Sequence, residues 1–451
     1  MSKDINKKYV LFSPIGNHDP FGKTETKVTE GPLLHIVRHY KPEIVFLFMT
    51  KEMHEKELKD NRYTKSVKHF LPNCEVNILE NGFNIINAHL FDEFITPYEG
   101  VFKKIKEQYP EHEILFNVSS GTPQMISSLI LEAQSSNIKT RAIQVTTPAR
   151  KANIKDNYQE DDIEYVEIDY ENSDNRCEEP NFNAFKKMRL KSQITVLINN
   201  YEYKAAVNLI RNDNTKLFAD VVIELLEHMY YRSIFDLQNA RVFASKIKIK
   251  ADKLTKIINV DKNLFEYFYT IKLKQVKGEL NDMILKITPF ISNILRKQVE
   301  KDYDLNSIIS QNDGNKPEQI TRETLTKLDE NLLNFLDEKF DGYKTNFVNN
   351  QVLKGIYEYI IATKISNKPE KDQNNYLSLN KLFNKFIDLE KIRNKLAHQM
   401  ESVDEAKIKQ VMQASSKDIV KTLEVLLTIT DNFPKGKFIY NELNKELIDL
   451  L

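Results

Sequence analysis

Three residues near the C-terminus carry side chains that could together cleave a phosphodiester bond. Arg393, Asn394 and His398 stand in the order R-N-x-x-x-H, in a stretch without glycine or proline. Apolar residues recur around them every three or four positions, which predicts an amphipathic helix. At about 100° per residue, Asn394 and His398 would share one face, and Arg393 would lie about 140° from His398. The arginine would then lie close to the apolar stripe of Leu382, Phe383, Phe386, Leu389, Ile392 and Leu396.

These residue types suit the cleavage of RNA without a metal ion. A histidine exchanges protons at cellular pH, and an arginine holds a phosphate and stabilises the charge that grows on a phosphorane. Asn394 can orient either group. The nucleophile would be the 2′-hydroxyl of the RNA, and the products would be a 2′,3′-cyclic phosphate and a 5′-hydroxyl. The alternative is a chance match, because short patterns of this kind are common.

A single arginine and a single histidine are a small catalytic set for this reaction. After residue 112 the only histidines are His228 and His398, and His228 stands among apolar neighbours that favour a structural role. Two chains related by a two-fold axis would place two copies of each group around one RNA strand. We therefore expect a homodimer whose interface includes part of the apolar stripe near Arg393.

The composition is that of an ordinary globular protein. Of the 451 residues, 29% are charged and 10% are aromatic, and this length predicts about two or three domains. The two cysteines, Cys74 and Cys177, have no metal-ligand spacing, which favours a reducing, cytoplasmic compartment and predicts no metal site. The N-terminus lacks a signal-peptide pattern, and the apolar runs are too short for a membrane span.

The net charge of zero conceals two halves of opposite sign. Residues 1–180 hold 22 basic and 29 acidic residues, and residues 181–451 hold 43 and 36, so the halves carry −7 and +7. The basic half contains the R-N-x-x-x-H stretch and suits a polyanionic substrate. Lysine-rich helix faces that are merely solvated remain the alternative.

The first half of the chain alternates between strand and helix patterns. Strands are expected at 9–14, 43–50, 75–79, 113–118, 141–147 and 163–168. Helices are expected from residue 32, at 51–70, at 90–109 with an interruption near Pro97 and Gly100, and at 124–136. This alternation predicts an α/β Rossmann-like domain with a mainly parallel sheet over residues 1–175.

Two loops are expected where such a sheet binds ligands, at the carboxyl ends of strands near a change in strand order. They are residues 13–24 and 117–125. In the second loop, hydroxyls, backbone N–H groups and a helix dipole would converge on an anion. The alternative is a simple N-cap and turn. The first loop is not a nucleotide-binding P-loop, because five residues rather than four separate Gly16 from Gly22.

The second half of the chain is predicted to be all-α, with almost no strand pattern. Residues 302–317 are the best internal linker, and a polar loop at 367–373 is expected before the R-N-x-x-x-H helix. We divide this half into a helical linker domain, 176–300, and a C-terminal helical bundle, 301–451.

Both loops and the C-terminal motif resemble known protein families. The segments S-P-I-G-N and N-V-S-S-G-T-P-Q-M resemble the ligand loops of CARF domains, the Rossmann-like sensors of CRISPR-associated proteins. The segment R-N-K-L-A-H resembles the R-x4-6-H signature of HEPN ribonucleases. Their order in one chain resembles the CARF–HEPN auxiliary ribonuclease of type III-A CRISPR–Cas systems.

This resemblance implies a single-strand-specific, metal-independent endoribonuclease of antiviral defence. A dimer of CARF domains would bind cyclic tetra- or hexa-adenylate as an allosteric activator, and binding would start RNA cleavage in the HEPN dimer. By match to the family's motifs, the catalytic residues would be Arg393, Asn394 and His398. The activator-binding residues would be Ile15, Gly16, Asn17, Ser119, Ser120, Gly121, Thr122, Pro123 and Gln124. Thr122 is also the residue expected to act if the CARF domain slowly cleaves its own activator.

Other interpretations remain open at this point. A HEPN toxin-type ribonuclease with a different nucleotide sensor would share the catalytic residues and differ in activator and target. A nucleotide-sensing transcription regulator would need a DNA-recognition helix, and no short basic helix stands in a helix-turn-helix setting. A structural protein in which Arg393 and His398 have no chemical role is a further alternative.

Overall fold

The computed structural model describes residues 7–23, 28–135, 140–146, 174–212, 216–250, 254–310, 318–399 and 402–451. The strand expected at 163–168 lies outside these ranges. The chain forms two compact units, Met1–Met188 and Arg189–Leu451. Within the described ranges, no helix is both long enough and apolar enough to cross a membrane.

The first unit is organised by a six-stranded sheet. Its strands and a separate hairpin are β1 (Tyr9–Pro14), β2 (Phe21–Lys23), β3 (Val28–Glu30), β4 (Ile44–Phe48), β5 (Glu75–Leu79), β6 (Glu113–Asn117), β7 (Thr140–Val145) and β8 (Cys177–Glu178). The order across the sheet is β5-β4-β1-β6-β7-β8, and β2 and β3 form a separate two-stranded sheet. All neighbours in the sheet run parallel except β7 and β8.

Helices cover both faces of this sheet. They are α1 (Pro32–Tyr40), α2 (Lys51–Asp60), α3 (Arg62–Phe70), α4 (Asp92–Gln108) and α5 (Pro123–Ser135). Successive strand residues point to opposite faces. Leu11 therefore packs in one core with residues of α1 and α3, while Val10 and Phe12 pack in the other core with residues of α4 and α5. The predicted α/β Rossmann-like domain is confirmed.

Two predicted helix boundaries in this unit are wrong. The helix expected at 51–70 is two helices, because Asn61 adopts a left-handed conformation with φ of 54°. The interruption expected near Pro97 and Gly100 is absent, and α4 runs through both residues. Proline removes one backbone hydrogen bond, but the buried face of α4, which includes Phe94 and Tyr98, holds the helix in place.

The second half of the chain is largely helical, as predicted. Its helices are α6 (Asn183–Asn199), α7 (Tyr203–Arg211), α8 (Asp220–Ser233), α9 (Leu237–Lys250), α10 (Thr255–Ile258), α11 (Asn263–Val276), α12 (Leu280–Glu300), α13 (Leu305–Ile308), α14 (Arg322–Leu328), α15 (Glu330–Phe340), α16 (Asn350–Lys364), α17 (Glu370–Gln399), α18 (Glu405–Met412), α19 (Ser416–Asp431) and α20 (Ile439–Leu450). One continuous apolar core joins them. Arg232 and Glu266, both fully buried, pair across α8 and α11.

Three details of this half differ from the prediction. A small antiparallel sheet joins β9 (Ile309–Ser310), β10 (Gln319–Ile320) and β11 (Asn346–Phe347), so the linker expected at 302–317 begins with a helix and a strand. Its residues 311–317 lie outside the described ranges. The loop expected at 367–373 is largely helical, because α17 already begins at Glu370. The Pro369 carbonyl accepts a hydrogen bond from the Gln373 N–H at 3.0 Å.

Candidate functional site

The two predicted ligand loops leave the sheet side by side. From β1 the chain continues to β4 and β5 on one side, whereas β6 and β7 lie on the other side of β1. The strand order therefore changes direction between β1 and β6, which is the place where open parallel sheets bind ligands. Residues 15–20 follow β1, and residues 118–122 follow β6.

Two glycines bring these loops into contact. A Cβ atom built on Gly16 would lie 2.6 Å from the Gly121 nitrogen and 3.1 Å from its Cα. Gly121 itself has φ of +93°, a conformation that side chains rarely adopt. Both positions therefore require glycine, one for the close approach and the other for the backbone conformation.

Asn117, the last residue of β6, holds the second loop in place through hydrogen bonds. Its side chain is fully buried, and its amide Nδ2 donates to the hydroxyls of Ser13 at 3.0 Å and Ser120 at 2.9 Å. Its Oδ1 accepts from the Ser119 N–H at 2.9 Å. One amide thus fixes the end of β1 and the turn after β6 relative to each other.

The hydroxyls of the second loop are engaged within the protein. Ser119 Oγ accepts from the Val145 N–H at 2.7 Å, which ties the loop to the end of β7. Thr122 Oγ1 donates to the Ala88 carbonyl at 2.7 Å and accepts from the Met125 N–H at 3.3 Å. Thr122 therefore also caps the start of α5, which is the N-cap role that the alternative interpretation of this loop predicted. A threonine oxygen has two lone pairs, so one stays available to a ligand.

The remaining predicted activator-binding residues differ in accessibility. Ile15 is buried in the core, and its N–H donates to the Phe48 carbonyl at 3.0 Å, so its side chain does not face a ligand. Asn17 is exposed and accepts a hydrogen bond from Lys56 Nζ at 3.1 Å. Pro123 is exposed and Gln124 is half-buried at the start of α5.

Sequence reasoning missed two charged residues at this edge. Lys56 lies in α2 and reaches Asn17 from a helix with no distinguishing sequence pattern. Asp19 is buried, and its carboxylate accepts from the N–H groups of Leu33 at 3.0 Å and Gly16 at 3.2 Å. Burial raises the pKa of Asp19 above its ordinary value, against the hydrogen bonds from the N–H groups of Leu33 and Gly16.

The R-N-x-x-x-H motif lies on α17, as predicted. Phe383, Phe386 and Leu389 are buried in the helical core, which confirms this part of the apolar stripe. Arg393 is half-buried on the same helix. Asn394 and His398 belong to α17, but their side chains lie outside the described part of the structure, and the same holds for Ile392 and Leu396.

Both ends of α17 are tied to α12. At its start, Lys368 Nζ lies 2.6 Å from Asp302 Oδ1, and the Tyr376 hydroxyl donates to the same carboxylate. Just beyond its end, the Val403 N–H donates to Asn281 Oδ1 at 2.7 Å. Asp302 follows α12 and Asn281 lies at its start, so the two helices are antiparallel. The motif therefore lies on a braced helix, one that hydrogen bonds at both ends hold against α12.

Family models match three successive parts of the chain. They are the Cas_Csm6 CARF domain at residues 75–182, the CRISPR-associated protein Csm6 6H domain at 180–233 and the Cas_Csm6 HEPN domain at 249–448. The chain belongs to the Csm6 family. Ser119 to Gln124 fall inside the CARF match, and the three residues of the R-N-x-x-x-H motif fall inside the HEPN match. The limits 1–175, 176–300 and 301–451 remain our proposal for the domains.

Several Csm6 proteins are similar over long stretches. The CRISPR system endoribonuclease Csm6 of Mycobacterium tuberculosis is 29% identical over 299 residues, 65% of this chain and 68% of that protein. The enzyme of the same name from Streptococcus thermophilus is 25% identical over 466 residues, 98% of this chain and 99% of that protein. The solved Csm6 of Enterococcus italicus superposes with a TM-score of 0.71 at 22% identity, covering 99% of this chain and 100% of that one.

Membership of the Csm6 family establishes the class of activity. The chain is a CRISPR-associated endoribonuclease with a CARF and a HEPN domain. The interpretations as a transcription regulator and as a structural protein are therefore set aside. Among the described residues, no group of three or more His, Cys, Asp or Glu side chains is placed to hold a metal ion.

Proposed function

We propose that this protein is a homodimeric endoribonuclease that cleaves single-stranded RNA without a metal ion and is activated by a cyclic oligoadenylate. The observation that carries the proposal is the contact between the loops at Gly16 and Gly121, at the change in strand order. The same chain carries R-N-x-x-x-H on a braced helix of the HEPN match. The proposed role is antiviral defence in a type III CRISPR system.

The activator site lies at the two loops and uses the predicted residues there, apart from the buried side chain of Ile15. Residues 119–122 precede α5, so backbone N–H groups of the turn and the positive end of a helix dipole lie where a phosphodiester would bind. Lys56 adds a cation beside Asn17. The Csm6 of Enterococcus italicus was solved with cyclic hexa-2′-fluoro-hexa-dAMP, which makes the six-adenylate ring the first activator to test. A two-fold pair of CARF domains would match a symmetric ring.

The proposed reaction needs only groups on this chain and on the RNA. The 2′-oxygen attacks the adjacent phosphorus, the bond from phosphorus to the 5′-oxygen breaks, and a proton passes from the 2′-hydroxyl to the leaving oxygen. His398 exchanges protons with these oxygens. Arg393 stabilises the charge on the phosphorane, and Asn394 orients its neighbours. Two such sets in a dimer surround one RNA strand.

Activation requires that the ring bind one arrangement of the dimer more tightly than another. The difference between these two affinities sets how far the HEPN pair shifts towards its active arrangement. A ring that bound both arrangements equally would change nothing, however tightly it bound. Stimulation by a ring therefore tests the coupling directly.

The test compares the initial cleavage rate of a fluorescent single-stranded RNA without a ring, with cyclic tetra-adenylate and with cyclic hexa-adenylate. A duplex of the same sequence is the control substrate. We expect one ring to raise the rate by roughly tenfold or more, little cleavage of the duplex, and products that end in a 2′,3′-cyclic phosphate. Equal rates with and without both rings, or products that end in a 3′-hydroxyl, would overturn the proposal.

A further inference from the structure

The carboxylate of Asp19 ties the loop after β1 to the start of α1. Its Oδ1 accepts from the Leu33 N–H at 3.0 Å, and its Oδ2 accepts from the Gly16 N–H at 3.2 Å. Gly16 in turn lies against the loop after β6, since a Cβ built on it would lie 2.6 Å from the Gly121 nitrogen. Only 5% of Asp19 is exposed. Asp19 therefore fixes to α1 the residue of the loop after β1 that contacts the loop after β6.

Each of these bonds has a structural consequence. The N-cap residue of α1 is Gly31, which has no side chain to cap the helix. Asp19, 14 residues before Leu33, accepts a hydrogen bond from this N–H of the first turn instead. Because α1 packs in the core beside the sheet, the bond to Leu33 fixes Asp19 to a rigid element. The bond to Gly16 then sets where the loop after β1 meets Gly121 in the loop after β6.

Asp19 is unsuited to contact an activator itself. Both carboxylate oxygens are occupied by backbone N–H groups, and a carboxylate repels the phosphates of an oligoadenylate. What Asp19 can control is the spacing between the polar groups around Gly16 and those around Ser120.

We infer that Asp19 is a positioning residue for activator binding, which holds the loop after β1 and the loop after β6 at the separation that an oligoadenylate phosphodiester requires. The inference rests on the proposed function, since it concerns the same site. It adds a residue outside the predicted contact set and assigns it a role in affinity for the ring and not in RNA cleavage.

The variant Asp19→Asn isolates this role. Asparagine has the same shape, but its NH2 group would face one of two N–H donors, so one of the two bonds is lost. The neutral side chain also removes the cost of burying a charge, so the variant should fold. We expect the ring concentration for half-maximal RNA cleavage to rise roughly tenfold, about 1.4 kcal/mol of binding free energy. The rate at saturating ring should stay within about twofold of wild type.

Glu57→Gln is the matched control. Glu57 is a second buried carboxylate of the same unit, with 2% exposure, and it accepts from the N–H groups of Tyr63 at 2.8 Å and Thr64 at 3.2 Å at the start of α3. It lies outside both loops. We expect Glu57→Gln to leave the half-maximal ring concentration unchanged.

The measurement is RNA cleavage by the full-length protein against the concentration of cyclic tetra- or hexa-adenylate, with circular dichroism to check folding. A shift in Asp19→Asn alone supports the inference. No shift, an equal shift in both variants, or a lower rate at saturation overturns it. Should Asp19→Asn not fold, Asp19→Ser takes its place under the same criteria. If neither ring changes the cleavage rate of wild type, the proposed function is wrong, and Asp19 then has no activator to position.

Discussion

A Cβ atom on Gly16 would lie 2.6 Å from the backbone nitrogen of Gly121, closer than a carbon atom can approach it. The two glycines belong to different loops, one after β1 and one after β6. Their contact is thus the point where the two halves of the proposed activator site meet. Any side chain at residue 16 must push the loops apart.

Gly16→Ala should therefore weaken activator binding. Because the obstacle is backbone and not a flexible side chain, relief requires a shift of a whole loop. We expect the dissociation constant of the activating ring, measured by titration calorimetry, to rise roughly tenfold or more. Gly100→Ala is the control, since a Cβ there meets nothing within 4 Å and alanine favours the helix. Equal affinities in Gly16→Ala and wild type would contradict this account of the site.

The positions of these two loops could be predicted from sequence, but the hydrogen bonds within and between them could not. The buried runs that became β1 and β6 predicted parallel strands, and the rule for strand ends placed both loops. The hydrogen-bond partners of Asp19 and Asn117 could not be predicted in this way. Asp19 bonds Leu33, 14 residues away, and Asn117 bonds Ser13, 104 residues away. Such bonds between distant segments leave no periodic pattern in the chain.

Local residue preferences also gave wrong helix boundaries at places where tertiary packing determines the structure. Pro97 predicted a break in α4, yet the buried aromatic face carries the helix through it. Asn61 divides α2 from α3 by a left-handed conformation that asparagine tolerates but does not require. The stripe of α17 was predictable, because Phe383, Phe386 and Leu389 follow the helical period and are all buried.

Thr122→Ala tests whether the CARF domain limits its own signal. If the Thr122 hydroxyl takes part in cleavage of the activator, its removal should slow loss of the ring by roughly tenfold or more. Chromatography of ring incubated with full-length protein measures this loss. Thr122→Ser keeps the hydroxyl and should behave as wild type.

Ser128→Ala is the matched control for Thr122→Ala. The Ser128 hydroxyl lies on α5 and donates to the Phe91 carbonyl at 3.2 Å, so its removal reproduces the loss of the bond from Thr122 to the Ala88 carbonyl, though not the N-cap bond to Met125. We expect ring cleavage at the wild-type rate in Ser128→Ala. A wild-type protein that leaves the ring intact, or equal slowing in both alanine variants, would contradict the role of Thr122.

His228 should make the helical unit less stable in mild acid. It is fully buried, and its Nδ1 donates to the Ala240 carbonyl at 2.8 Å. Burial, with the charge of Arg232, lowers the pKa of His228 to about 4. Between about pH 6.5 and 4 the unfolded chain binds a proton that the folded chain excludes, so stability falls as the pH falls. From pH 7 to pH 5 this costs about 2 kcal/mol.

Urea unfolding of wild type and His228→Asn at both pH values measures this contribution. Asparagine can keep a donor towards the Ala240 carbonyl but does not titrate. The drop in unfolding free energy from pH 7 to pH 5 should be smaller in the variant by about 2 kcal/mol. An identical drop in both proteins would show that His228 does not contribute.

We propose that the R-N-x-x-x-H residues of α17, one set from each chain of the dimer, cleave RNA without a metal ion and that the bound activator stimulates this cleavage. The most direct measurement is cleavage of fluorescent single-stranded RNA in EDTA at saturating ring, for wild type, Arg393→Ala and His398→Ala, with ring affinity measured on each protein. We predict strong cleavage by wild type, a loss of roughly 100-fold or more in each variant, and ring affinity close to wild type in both. Cleavage that requires a metal ion and persists in His398→Ala would contradict the account.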